Sequence, residues 1–94
     1  MSESKRETER RRILKDGRVI LPGSRVTYDC TIRDVSKAGA RLRLKSDSIN
    51  LPEEFELVFV AEGLAYSAIR KWRRGTEYGV AFTGEPRRVT ARFD

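Results

Sequence analysis

The chain alternates apolar and polar residues over several short stretches and nowhere sustains a helical period. "VTYDCTIRD" puts Val26, Tyr28, Cys30 and Ile32 on one face and Thr27, Asp29, Thr31 and Arg33 on the other, the period of a half-buried strand. Ala40, Leu42 and Leu44 repeat the pattern, with Arg41 and Arg43 pointing outward, and "FELVFV" sets Phe55, Leu57 and Phe59 on one face. "YSAIRKWRRG" and "YGVAF" read as two more strands joined by a turn around Gly75. "ILKDGRVIL" reads as a strand with a turn or bulge at Asp16–Gly17. Pro22 and Gly23 mark a turn, "KSDSINLPEE" a loop and "AEG" a tight connection.

About six short strands with close turn signals predict an all-β fold. A chain of 94 residues makes one domain. A small six-stranded antiparallel barrel suits it, because closure removes exposed strand edges. Residues 1–12, "MSESKRETERRR", hold no large apolar side chain except Met1 and predict a flexible basic arm. The barrel is expected over 13–84 and a short tail over 85–94, where Pro86 marks the end of the last strand.

Charge narrows the partner. There are 20 Lys and Arg against 14 Asp and Glu, a net charge of +6, which favours an anionic ligand or surface. The lone Cys30 excludes an internal disulfide and a cysteine-rich zinc site, and reads as a small core residue. The absence of histidine removes the histidine-dependent nucleophile and metal arrangements. Neither a catalytic set, a metal site nor a cofactor is expected. The N-terminus is not of signal type, and no segment approaches the ~20 apolar residues of a membrane span. A soluble cytoplasmic protein, not inserted in a membrane, is expected.

Two stretches could carry chemistry. Arg6, Arg10, Arg11 and Arg12 form either a solvated basic tail or an anion clamp. A guanidinium is a planar fork that fits phosphate oxygens or the O6/N7 edge of guanine. Arg6 and Arg10 stand four apart, so a helical or compact segment points both at one ligand. The second stretch, "DVSKAG" from Asp34 to Gly39, reads as a turn with side-chain oxygens on local amides and Gly39 at positive φ. It can do more. A carboxylate accepts from the N1–H and N2–H of guanine, and glycine lets a ligand approach the backbone.

RxxxR ("RETER"), a β segment, and then DxSxxG ("DVSKAG") at a strand junction together resemble the PilZ domain, a family of bacterial receptors for cyclic di-GMP. "WRRGTEYGVAF" looks like the family's closing strand pair. The resemblance implies a six-stranded antiparallel barrel. It also implies that Arg6, Arg10, Asp34, Ser36 and Gly39 line the cyclic di-GMP site, with Lys5, Arg11, Arg12 and Arg41 as further candidates. Many members carry a C-terminal helix, and here only residues 83–94 follow Phe82.

The leading expectation is a receptor without catalytic activity. Its arginine arm would order over the nucleotide and signal to a downstream protein. The alternatives are a PilZ-like interaction module that does not bind nucleotide, and a basic barrel that binds nucleic acid nonspecifically. The last needs several exposed aromatics on one face. Aromatics are 9% of the chain, and most stand at inward positions. Trp72 reads as packing over the barrel or stacking on a base, and Arg41 and Arg43 as solvating charges or phosphate contacts. In "RKWRR" neighbouring residues alternate faces, so Arg70 to Arg74 do not make one basic surface.

Overall fold

The computed structural model describes residues 11–89. The strands are β1 (Arg11–Ile20), β2 (Thr27–Val35), β3 (Gly39–Leu44), β4 (Glu54–Phe59), β5 (Leu64–Arg74), β6 (Glu77–Phe82) and β7 (Arg87–Arg88). Among the described residues there is no helix. The sheet runs β4-β1-β2-β3-β6-β5, and a further β4–β5 pairing closes it into a six-stranded antiparallel barrel. The seventh strand is an addition to the expected six. It pairs Arg87 with Ala65 and Arg88 with Leu64, along the stretch of β5 that β6 leaves uncovered.

The alternating residues fill the barrel. Val19, Cys30, Ile32, Leu42, Leu44, Phe55, Leu57, Tyr78 and Val80 are buried in one cluster. Each large aliphatic or aromatic side chain so buried contributes about 1.5–3 kcal/mol, the main force holding so small a barrel shut. Tyr66 stacks on Phe82 at 4.2 Å and meets Phe59 edge-on at 5.2 Å.

Cys30 belongs to this core. Its burial, and then the Asp29 and Asp16 carboxylates, push the thiol up to about 12. Only the thiolate reacts. Against an aromatic disulfide reagent at pH 8, the folded protein should therefore react about a thousandfold more slowly than the unfolded chain. Equal rates would mean that Cys30 is not held in the core.

The loop between β3 and β4 is tied down by three side chains. The Tyr78 hydroxyl donates to the Ile49 carbonyl at 3.0 Å and accepts from the Leu51 amide at 3.4 Å. Arg70 Nη1 donates to the Leu51 carbonyl at 2.6 Å. Arg73 donates to the Asp47 carbonyl at 2.7 Å and to Asn50 Oδ1, with its guanidinium 5.3 Å from the centre of the Tyr78 ring. Tyr78→Phe leaves the buried Leu51 amide and the half-buried Ile49 carbonyl short of a partner, at a cost of about 1–3 kcal/mol. That should lower the melting temperature by several degrees or more (about 4–8 °C per kcal/mol in a domain of this size), and speed amide exchange at Leu51 first.

The bulge in β1 falls elsewhere than the sequence suggests. Pairing with β2 jumps from Arg12↔Asp34 to Lys15↔Ile32, so the extra residue lies at positions 13–14, and Asp16–Gly17 runs on as regular strand. Gly17 is glycine for want of space. A Cβ there would meet the Ile32 side chain at 2.7 Å.

Candidate functional site

Strand β2 does not stop at Asp34 as the sequence suggests. It runs on to Val35, and the connection to β3 is only Ser36–Ala38. A bulge makes this possible. Pairing with β3 steps from Ile32↔Leu42 to Asp34↔Arg41, so Arg33 is the extra residue. Arg41 lies on the outer face, between inward Ala40 and Leu42. The bulge therefore turns Asp34 away from the core side of Cys30 and Ile32 and onto the face of Arg41.

Strand β5 does the same. Its pairing with β6 steps from Arg70↔Val80 to Trp72↔Gly79, with Lys71 as the extra residue. Plain alternation from Ala68 through Arg70 would have put Trp72 inside. The bulge sets it outside, 42% exposed, and turns Arg73 back toward Tyr78.

The two bulges produce one transverse row. Arg12 pairs with Asp34, Asp34 with Arg41, Arg41 with Gly79, and Gly79 with Trp72, across β1, β2, β3, β6 and β5. Beside the row, a cleft of about 220 Å³ is lined by Ser36, Gly39, Arg41, Lys71, Trp72 and Gly79, among others.

Each member has its own physical reason. Asp34 is buried, with Arg41 Nε 2.7 Å from its Oδ2 in an ion pair. Arg41 also reaches Glu77 at 3.6 Å, and Glu77 reaches Arg43 at 3.7 Å. Signs thus alternate along the network, and Arg41 is a held cation rather than a freely solvated one. Ser36 closes the turn. Its amide donates to the Gly39 carbonyl at 2.8 Å, and its hydroxyl accepts from the Ala38 amide at 3.2 Å.

Gly39 does not take the expected positive φ; it opens β3 as ordinary strand. A Cβ there would fall inside the Val80 carbonyl oxygen and lie 3.1 Å from Ala81 Cα. The residue is glycine because β6 passes too close for a side chain. Gly79 repeats the reason on the other side, where a Cβ would fall inside the Trp72 indole. The ring packs against Gly79, with the Arg74 guanidinium 6.0 Å from its centre.

Of the residues expected at the site, Asp34, Ser36, Gly39 and Arg41 come together here. Arg11 and Arg12 enter β1, paired with Val35 and Asp34. Lys5, Arg6 and Arg10 lie outside the described residues, as does most of the arm over 1–12. The arginine motif nevertheless ends where β1 meets the row, because Arg10 directly precedes Arg11. Sequence reasoning missed Lys71 and Gly79 and set Trp72 mainly to packing. A signal was present in "RKWRR", where a cationic pair brackets the only tryptophan.

The site offers a carboxylate acceptor, a turn hydroxyl, guanidinium and ammonium donors and an exposed indole. These are groups for binding a planar, anionic, hydrogen-bonding ligand. Among the described residues no cluster of acidic, cysteine or histidine residues could hold a metal ion, and no helix is long and apolar enough to cross a membrane. The family model described as PilZ domain matches residues 4–92. Comparison with curated proteins gives no match.

Proposed function

This chain belongs to the PilZ domain family, and from that premise we propose that it is a receptor for cyclic di-GMP that acts by binding alone. The observation that carries the reading is the transverse row. One face collects Asp34, Arg41 and Trp72 beside the Ser36 turn, at the point where the RxxxR segment enters the barrel.

In this reading the Asp34 carboxylate accepts from the N1–H and N2–H of one guanine. Trp72 offers its face to a base, and Lys71 and Arg41 lie within reach of phosphate. Arg6 and Arg10 close over the nucleotide from the chain's entry side, with Lys5, Arg11 and Arg12 as further donors. Ordering of the arm then changes the surface shown to a downstream protein. The protein works in the cytoplasm, without a cofactor, a catalytic step or nucleic acid as its ligand.

Trp72 provides the test, as it is the only tryptophan in the chain. Cyclic di-GMP should shift or quench its fluorescence saturably, and Trp72→Ala should weaken binding by about 5- to 100-fold, since stacking on an aromatic is worth about 1–3 kcal/mol. Saturable binding with unchanged tryptophan emission would remove Trp72 from the site. No binding at all would overturn the receptor reading in favour of an interaction module.

A further inference from the structure

A larger concavity lies away from the nucleotide row. Pairing of β1 with β4 ends at Ile20↔Glu56. The chain then turns through 21–26 and returns as β2, so among the described residues Glu54 and Phe55 of β4 have no strand on that side. The hairpin and the β4–β5 surface wall a groove of about 750 Å³, with Ile20, Leu21, Pro22 and Ile69 as apolar lining and Glu54 and Glu56 as its charges.

The charge of this groove is opposite to that of the chain. The protein carries +6, yet among the described residues the groove is lined by two carboxylates and no lysine or arginine. One of its carboxylates already holds a cation: Arg87, outside the lining, forks Glu56, with Nη2 2.6 Å from Oε1 and Nε 3.3 Å from Oε2. Glu54 makes no ion pair among the described residues. A second cation can take it as Arg87 takes Glu56.

We propose that this groove docks an extended basic and apolar segment of a partner protein. A lysine or arginine of the segment meets Glu54, aliphatic side chains enter between Leu21 and Ile69, and its backbone runs beside the uncovered start of β4. Extended peptides use open strand edges in this way, and charge complementarity sets their direction and register. Glu54, with no cation of its own among the described residues, disfavours nucleic acid and anionic membrane at this spot. The inference stands on the groove alone and does not need the nucleotide reading. The two sites share one strand, with Ser67–Ile69 of β5 in the groove and Lys71 and Trp72 in the cleft.

The test is an amide-shift titration of the labelled full chain with a synthetic probe, Arg-Ile-Arg-Leu-Arg. Two controls replace its arginines with glutamate or its aliphatics with serine. A single-stranded oligonucleotide is the third. Shifts should saturate at Ile20–Ser24, Glu54–Glu56 and Ser67–Ile69. They should weaken about tenfold or more with either control peptide and in Glu54→Lys. Glu54 is exposed, so that variant should melt with the parent. Ile69→Ser should weaken the probe similarly. A silent groove, equal binding of the acidic peptide, or groove shifts caused by the oligonucleotide would overturn the proposal.

Discussion

Asp34→Ala should lose both nucleotide affinity and stability, whereas Arg10→Ala should lose affinity alone. A carboxylate bonded to guanine N–H groups is worth about 1.5–3 kcal/mol per bond, so removing Asp34 should weaken cyclic di-GMP by roughly 10- to 100-fold or more. The cost to the fold comes from Arg41. Its guanidinium lies 2.7 Å from Asp34 and only 3.6 Å from its other partner, Glu77. With Asp34 gone, a half-buried cation leans on the weaker contact, at about 1–3 kcal/mol. Arg10 precedes the first residue of β1, so Arg10→Ala leaves the paired barrel intact while removing a guanidinium fork of about 1–3 kcal/mol. Melting curves and nucleotide titrations on both variants check the contrast. If Arg10→Ala binds as well as the parent, the clamp assignment fails. If Asp34→Ala melts with the parent, the Arg41 pair does not support the barrel.

Gly39→Ala should damage the barrel more than any single substitution at the ligand-facing residues. The added carbon falls inside the Val80 carbonyl oxygen and reaches Ala81 Cα at 3.1 Å. Both are backbone, so relief requires β3 and β6 to separate where Gly39 pairs with Ala81. Overpacking of this kind costs about 1–3 kcal/mol, and more when backbone must move. The expected result is a melting temperature lowered by ten degrees or more (about 4–8 °C per kcal/mol), with nucleotide binding lost in proportion to folding. Gly79→Ala is the informative comparison. There the obstacle is the exposed Trp72 ring, a side chain that can swing away. That variant should stay folded and lose the tryptophan signal. A Gly39→Ala variant as stable as the parent would show that the strands have slack at this junction, leaving glycine there for the ligand.

The strands were legible because each buries one face. The alternation at Tyr28–Cys30–Ile32, Ala40–Leu42–Leu44 and Phe55–Leu57–Phe59 marks them without further help. What the alternation cannot show is a bulge. A bulge is an extra residue relative to a partner strand, and the partner is distant in sequence. The extra residues at Arg33 and Lys71 were therefore invisible, and with them the reason why Asp34 and Trp72 share an outer face. The Asp-x-Ser-x-x-Gly spacing did mark the place. The role of its glycine was misread for the same reason, since the close neighbour of Gly39 is a strand about forty residues away in sequence. The short β7 escaped notice because two paired residues carry no period.

We propose the row of Asp34, Arg41, Gly79 and Trp72, next to the RxxxR segment in the chain, as the site for cyclic di-GMP. The most direct measurement is a calorimetric titration of the full chain with cyclic di-GMP, with GTP and a short single-stranded oligonucleotide as controls, at two salt concentrations. Binding of cyclic di-GMP should saturate, weaken with salt and be at least about a hundredfold tighter than that of GTP. Equal affinity for all three ligands would contradict the proposal and leave only a basic surface that attracts anions.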